Sequence, residues 1–358
     1  MCSPALSYTL ITSGNDALQY LTFAGLTEIR RVELNHEKIK LTMSVLLPIP
    51  EDKNDAGTKA KKSIAKFSSG EIVIALVDSC SIESVLRMCS KESISIPLKS
   101  IGLVSEEISV LPIVLELTMK AVEAISDLLI PQPLLTSNGT VDSNSTDIIV
   151  SSSHRQSLSG RELPLKIRVL GHSVSGAVGA YLSMLLDGAL SASLERAAPI
   201  LGLYHDRVRC ITLASPPCIS RTVVPRFITS LICGDDIICR AHHDSLKYMK
   251  RRILSSLKTS SSLIGFIPGS TFLADMAAVA GKGVASYTGN KHDLESVHIP
   301  GRVFFMKNRK HKNGASFQRV LRGNWQEDML WSLRDILLSS RMFEHHDLKA
   351  YIATLMRC

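Results

Sequence analysis

Leu165-Lys166-Ile167-Arg168-Val169-Leu170-Gly171-His172-Ser173-Val174-Ser175-Gly176-Ala177-Val178-Gly179-Ala180 carries the clearest structural signal in this chain. Residues 165–169 alternate apolar with basic, the period of a β-strand. Small residues crowd positions 175–177, 179 and 180, and an apolar helical pattern continues through Tyr181, Leu182, Met184, Leu185 and Leu186. A strand, a tight Gly-x-Ser turn and a helix form a nucleophile elbow. The turn is strained, so Ser173 needs small neighbours, and the helix N-terminus behind it favours developing negative charge. By itself the motif is incomplete, because Ser175 stands where the second glycine of Gly-x-Ser-x-Gly is usual.

Composition narrows the classes. A chain of 358 residues, 45% hydrophobic and 21% charged, has enough apolar material for a substantial core. The formal charge of +8 suits an anionic surface, either a membrane face or nucleic acid. Aromatic residues make up only 5%, and no basic helix is interleaved with stacking rings, which argues against nucleic acid. No apolar run reaches the ~18 residues that span a bilayer. Met1 to Tyr8 lacks a basic flank followed by an apolar stretch, so no signal peptide is expected and the location expected is cytoplasmic. The eight cysteines show no C-x-x-C spacing, so no metal and no redox motif are expected, and buried reduced thiols are.

The remaining pattern is strands alternating with helices. Strands are expected at Tyr8–Thr12, Ile39–Leu47, Glu71–Leu76, Val208–Leu213, Phe227–Cys233 and Gly301–Met306. Val77 to Ser81 reads as a turn. Helices are expected near Ala17–Leu26, over Ile82–Cys89, over Ile113–Ile130 behind Pro112, and over Trp325–Leu338. Such alternation implies an α/β fold, with a mostly parallel central sheet and helices on both faces. The reading is of one domain over 1–358. A low-complexity insertion loop at 131–160 holds glycosylation-type triplets at Asn138 and Asn144. A basic amphipathic helix opens a candidate lid or interfacial insertion at 244–285, with Lys247, Lys250, Arg251 and Arg252 opposite Leu246, Met249 and Ile253.

Catalytic groups on parallel sheets sit at the carboxyl ends of strands. Ser79, Ser173 and Asp236 all follow expected strands, and histidines lie near the C-terminus. A serine hydroxyl needs a base, and the base needs a third group to orient it. Serine, acid and histidine occur here in the chain order of the α/β-hydrolase fold. The oxyanion needs two donors. One is expected at the backbone N–H of Val174, the other in the turn at Ser79.

Four stretches together resemble class 3 (fungal-type) lipases, a group that includes the sn-1-specific diacylglycerol lipases. Gly171-His172-Ser173-Val174-Ser175-Gly176-Ala177 is similar to their Gly-His-Ser-Leu-Gly-Gly-Ala, and Leu213-Ala214-Ser215-Pro216-Pro217 to their Phe-Gly-Ser-Pro-Pro. The strand ending Gly234-Asp235-Asp236-Ile237-Ile238-Cys239-Arg240 is similar to one ending Asp-Ile-Val-Pro-Arg. Glu344-His345-His346 with Tyr351 is similar to Asp-His followed by Tyr. The resemblance spans roughly residues 70–355 and implies Ser173 as nucleophile, Asp236 as orienting acid and His346 as base. Asp235 and His345 remain the alternatives, while His242, His243 and Asp244 read as surface residues. It further implies hydrolysis of a glycerolipid ester, diacylglycerol first, by a peripherally membrane-associated enzyme with no cofactor. Three departures point to a second reading, a weakened or inactive lipase-like scaffold that binds lipid or protein partners. Val77-Asp78-Ser79 replaces the usual Arg-Gly-Thr oxyanion loop, Ser175 replaces a glycine, and Cys239 replaces a proline.

Overall fold

A computed structural model describes residues 26–48, 71–98, 106–129, 166–190, 202–220, 225–259, 297–307, 316–319, 336 and 339–356. The insertion loop at 131–160, most of the candidate lid, and the segments near 8–12, 17–25 and 325–335 lie outside them.

Ten strands are described: β1 (Leu26–His36), β2 (Ile39–Pro48), β3 (Glu71–Asp78), β4 (Ile94–Leu98), β5 (Glu106–Val110), β6 (Lys166–His172), β7 (Val208–Leu213), β8 (Ile228–Cys233), β9 (Arg302–Lys307) and β10 (Ser316–Arg319). Eight of them make one sheet in the order β1-β2-β3-β6-β7-β8-β9-β10, and β4 and β5 pair as a separate hairpin. The central run β3-β6-β7-β8-β9 is parallel throughout, while β1, β2 and β10 add antiparallel edges. Five helices accompany them: α1 (Ile82–Cys89), α2 (Pro112–Leu129), α3 (Val174–Asp187), α4 (His243–Thr259) and α5 (Leu348–Met356). This is the mostly parallel, helix-flanked sheet of the α/β-hydrolase class.

The apolar pattern explains the stacking. β3 is buried along both faces, with Ile72, Ile74 and Leu76 on one and Val73 and Ala75 on the other, as a central parallel strand must be. Helix α3 is apolar all round and wholly buried. It packs on β6 and β7, and α2 packs on it. Gly179 permits the approach: a Cβ there would lie 3.1 Å from a Val169 methyl and 3.3 Å from one of Leu76. Each fully buried Leu, Ile or Val in this layer stabilises the fold by about 1.5–3 kcal/mol. A second cluster joins Leu213, Ile232, Val303 and Met306 to Tyr351 of α5.

Three differences from the sequence reading have local causes. β3 runs on through Val77 and Asp78, read above as a turn, because β2 pairs with it as far as Leu41 opposite Asp78. β1, missing from the expected strands, alternates Val32 and Leu34 with Arg31, Glu33 and Asn35 after a bulge at Glu28–Arg30, and its charged side chains pair, Arg30 with Asp127 on α2 at 2.6 Å and Arg31 with Glu28 at 3.0 Å. Charged side chains of this kind protect a sheet edge. Along α4, Lys250 is buried beside Met249 instead of standing on the exposed face, whereas Tyr248 is half exposed. Among the described residues no helix is long and apolar enough to cross a membrane.

Candidate active site

The turn from β6 into α3 puts Ser173 at φ 58° and ψ −130°, a left-handed conformation that costs a non-glycine residue energy and is typical of functional turns. The fold over-determines it. Ser173 N–H donates to the Leu213 carbonyl at 2.8 Å, and its carbonyl accepts from Gly176 N–H at 3.0 Å. Gly171 is required: a Cβ there would sit 2.4 Å from the Ser175 carbonyl oxygen, which is backbone and cannot yield. Ser175, which stands where a glycine is usual, braces the elbow. Its buried hydroxyl accepts from His172 N–H at 3.1 Å and gives its one proton to the Leu76 carbonyl (2.8 Å) or the His172 carbonyl (2.6 Å). That ties the end of β3 to the elbow.

The carboxyl end of β8 carries Asp236, wholly buried, and the 3-10 turn Glu344–His346 brings His346 against it. His346 Nδ1 lies 3.1 and 3.2 Å from the two Asp236 oxygens. The carboxylate also accepts from Tyr351 O–H at 2.6 Å and from Ile238 N–H at 2.8 Å. Burial alone would raise the Asp236 carboxyl, but the His346 charge and these donors outweigh it, so it titrates below the usual carboxylate range. Burial likewise opposes charging His346, yet the Asp236 charge and hydrogen bond prevail and lift it above its ordinary 6.5. With Nδ1 turned to the acid, Nε2 is the nitrogen left to act as base.

The structure pairs Asp236 with His346 and leaves Asp235 and His345 outside that pair. The Asp235 N–H donates to His345 Nδ1 at 2.9 Å, so that pair closes the loop next to the site. The Ser173 Oγ is buried without a hydrogen-bond partner among the described residues, so the bond from the serine to the base is not made in this resting geometry. His242, His243 and Asp244 are half-buried rather than surface residues, and His243 Nδ1 lies 2.6 Å from the Ser90 carbonyl at the end of α1.

The oxyanion side differs from expectation. Ser79 is exposed, and its N–H is spent on the Lys40 carbonyl at 3.2 Å, continuing the β2–β3 ladder. That N–H is therefore not available to the site. Val174 N–H does face the site, but there it donates to Asp78 Oδ2 at 3.0 Å. The Asp78 carboxyl is pushed up to about 6 by burial, partly offset by the His346 charge and by the Ser173 hydroxyl and the Val174 and Ser175 amides around it. His172, which sequence reasoning passed over, lies under the base. Its Nε2 is 2.9 Å from the His346 carbonyl and its ring is 5.0 Å from the His346 ring. Burial, then the His346 charge, hold His172 down to about 4, so it stays neutral and donates from Nε2.

Three solved lipases align with this chain. A triacylglycerol lipase described as having a serine-protease triad aligns at 13% identity over 66% of this chain and 70% of its own, TM-score 0.35. A lipase from Rhizopus microsporus var. chinensis aligns at 12% identity over 66% and 63%, TM-score 0.35, and the M37 lipase at 13% over 97% and 93%, TM-score 0.40. This chain spans less than two thirds of the Rhizopus lipase's length. No family model matches the chain, and no curated protein matches it. At such scores the likeness adds nothing to the geometry, which stands by itself.

Away from the site, ligand atoms of Asp187, His205 and Asp206 lie within 4.8 Å of one another. Asp206 N–H donates to Asp187 Oδ1 at 3.0 Å and the His205 ring binds the Asp187 carbonyl at 3.1 Å, which accounts for the cluster as a stapled turn. The described thiols are free, and burial raises those of Cys89 and Cys210 to about 12, so they are inert packing groups.

Proposed function

We propose that this chain is a serine hydrolase that cleaves a fatty acyl ester of a glycerolipid, diacylglycerol first, through an acyl-enzyme. Two observations carry the reading: the His346 imidazole is held Nδ1-on to buried Asp236, and Ser173 stands on a strained strand-to-helix turn. In this reading His346 Nε2 takes the proton from Ser173 Oγ as Oγ bonds to the acyl carbon and the carbonyl electrons move to oxygen. The imidazolium then returns the proton to the leaving alkoxide, and a water repeats the sequence to release the fatty acid. Asp236 stabilises the imidazolium without taking its proton. The choice of a glycerolipid rests on the family resemblance. A peripheral approach to an anionic membrane is supported by the +8 charge and by exposed Tyr248 and Arg251 on α4.

The test is fatty-acid release by the purified chain from diacylglycerol in vesicles, beside monoacylglycerol and a soluble short-chain ester, with Ser173→Ala as control. The reading requires release from diacylglycerol that is lost in the variant. Equal rates on the soluble ester, with no gain at an interface, would make the chain a small-ester esterase. One observation favours a second reading, a lipid- or protein-binding scaffold without turnover: a carboxylate occupies the donor that should receive the oxyanion. A folded chain with no Ser173-dependent release on any of the three substrates would establish that reading.

A further inference from the structure

The carboxylate on the oxyanion donor is the feature the proposed reaction leaves unexplained. Asp78 ends β3, and the β2–β3 ladder running past it fixes the strand, so the side chain meets the N-terminus of α3 instead of pointing away. Oδ2 takes Val174 N–H at 3.0 Å, where the oxygen of a tetrahedral intermediate would have to sit. The same strand extension consumes Ser79 N–H, leaving the site with one backbone donor already taken and a second position filled by a carboxyl group.

Building on the serine-hydrolase reading, we infer that Asp78 is an ionisable gate on the oxyanion hole: its carboxylate plugs the Val174 donor, and its acid form opens that donor and supplies the missing second one. When protonated, the carboxyl no longer attracts Val174 N–H as an anion does, and its own O–H can donate to the oxyanion. No atom of the reaction changes: the serine proton still goes to His346, and the Asp78 proton is shared with the new negative charge, not transferred. The groups facing the gate are the Ser173 hydroxyl from the elbow, the Val174 and Ser175 amides from α3, His346 (backed by Asp236) from the C-terminal turn, and Cys80 two residues on, while β2 sets Leu41 opposite. His346 is the only one of these that turns cationic near neutral pH.

The gate and the base titrate in opposition. His346 works when neutral, which needs pH above its raised value; Asp78 is open when protonated, which needs pH below about 6. The working form is therefore always a minority, and the rate follows a bell of low ceiling. At about pH 8 a carboxyl that titrates near 6 is roughly one part in a hundred open. Asp78→Asn offers an amide donor that never ionises.

The experiment is the rate at which a fluorophosphonate labels Ser173, followed from about pH 5 to about pH 9 in the wild-type chain, Asp78→Asn and Asp78→Ser, with the fold of each verified by circular dichroism and a cooperative melt. The inference expects a wild-type bell and, in either variant, loss of the alkaline fall with a rate about tenfold or more higher near pH 8. The serine variant carries the same expectation if the asparagine chain fails to fold. Ser173 labelling with the same profile shape in all three, or slower labelling in both variants, overturns the gate and leaves the hydrolase standing. Absence of Ser173 labelling in every folded chain overturns the hydrolase reading, and the gate with it.

Discussion

Tyr351→Phe removes one oxygen atom and keeps the ring that fills the cluster around Leu213 and Met306. That oxygen has three buried partners: it donates to Asp236 Oδ2 at 2.6 Å, accepts from Cys233 N–H at 3.0 Å and lies 3.7 Å from Cys239 Sγ. A hydrogen bond to a charged acceptor contributes about 1.5–3 kcal/mol, and a buried amide left without a partner costs about 1–3 kcal/mol. Asp236 keeps His346 and the Ile238 N–H, and relaxation recovers part of the remainder, so the expected loss is about 3 kcal/mol at pH 7. Urea unfolding followed by tryptophan fluorescence and circular dichroism measures it. The loss has a pH signature. Asp236 titrates below its ordinary 3.8 when folded, so its charge stabilises the fold above 3.8, and that contribution is lost as pH falls through the depressed value. Because the hydroxyl serves the ionised form, the gap between wild type and variant narrows as pH falls through the depressed value. A loss under about 1 kcal/mol at pH 7, or a gap independent of pH, would refute the claim that this hydroxyl holds the acid's charge.

Gly171→Ala should prevent a native elbow, because the new Cβ would lie 2.4 Å from backbone oxygen; a melt retaining most of the wild-type stability would contradict the turn geometry. Ser175→Ala strands the His172 N–H and should cost about 1–3 kcal/mol in urea unfolding, whereas a neutral effect would mean the hydroxyl is no brace. For Asp78→Asn, where Asp78 no longer faces the base with its charge, the acid limb of Ser173 reactivity should lie lower in pH than in the wild-type chain, since that charge helps raise His346. His172 is held near 4 when folded against an ordinary 6.5, so its neutral form contributes stability above 6.5 that is lost as pH falls towards 4; His172→Gln should flatten that part of the stability curve in thermal melts.

The parallel core was readable because β3 is a near-continuous apolar run, β6 alternates apolar with basic residues and the helices keep a 3.6-residue period. Helix Ile82–Cys89 has the bounds its pattern predicts, helped by Ser81, whose hydroxyl accepts from Ser84 N–H at 3.2 Å as an N-cap. What escaped depends on partners distant in sequence. β1 is interrupted by a bulge between Glu28 and Arg30, and its pairing with β2 and with α2 sets its bounds. The two-residue loop between His36 and Ile39 contains no glycine, and Glu37 takes the left-handed conformation unannounced. The Ser173 turn was readable from its strand–turn–helix pattern, and the choice of Asp236 and His346, which the structure pairs, came from the family resemblance. The oxyanion side was not readable. Whether Asp78 faces in or out depends on how far β2 zips along β3, and no local pattern encodes that register. Ser175 misled for a similar reason: its worth comes from the Leu76 carbonyl, which the fold alone brings near.

The most direct test of the catalytic claim is a crystal structure of the chain after reaction with a fluorophosphonate. The account predicts phosphorus bonded to Ser173 Oγ, the phosphoryl oxygen hydrogen-bonded to Val174 N–H in place of Asp78, and His346 Nε2 facing the adduct with Nδ1 still on Asp236. An unmodified Ser173, or an adduct whose phosphoryl oxygen points away while Asp78 keeps Val174 N–H, would contradict it.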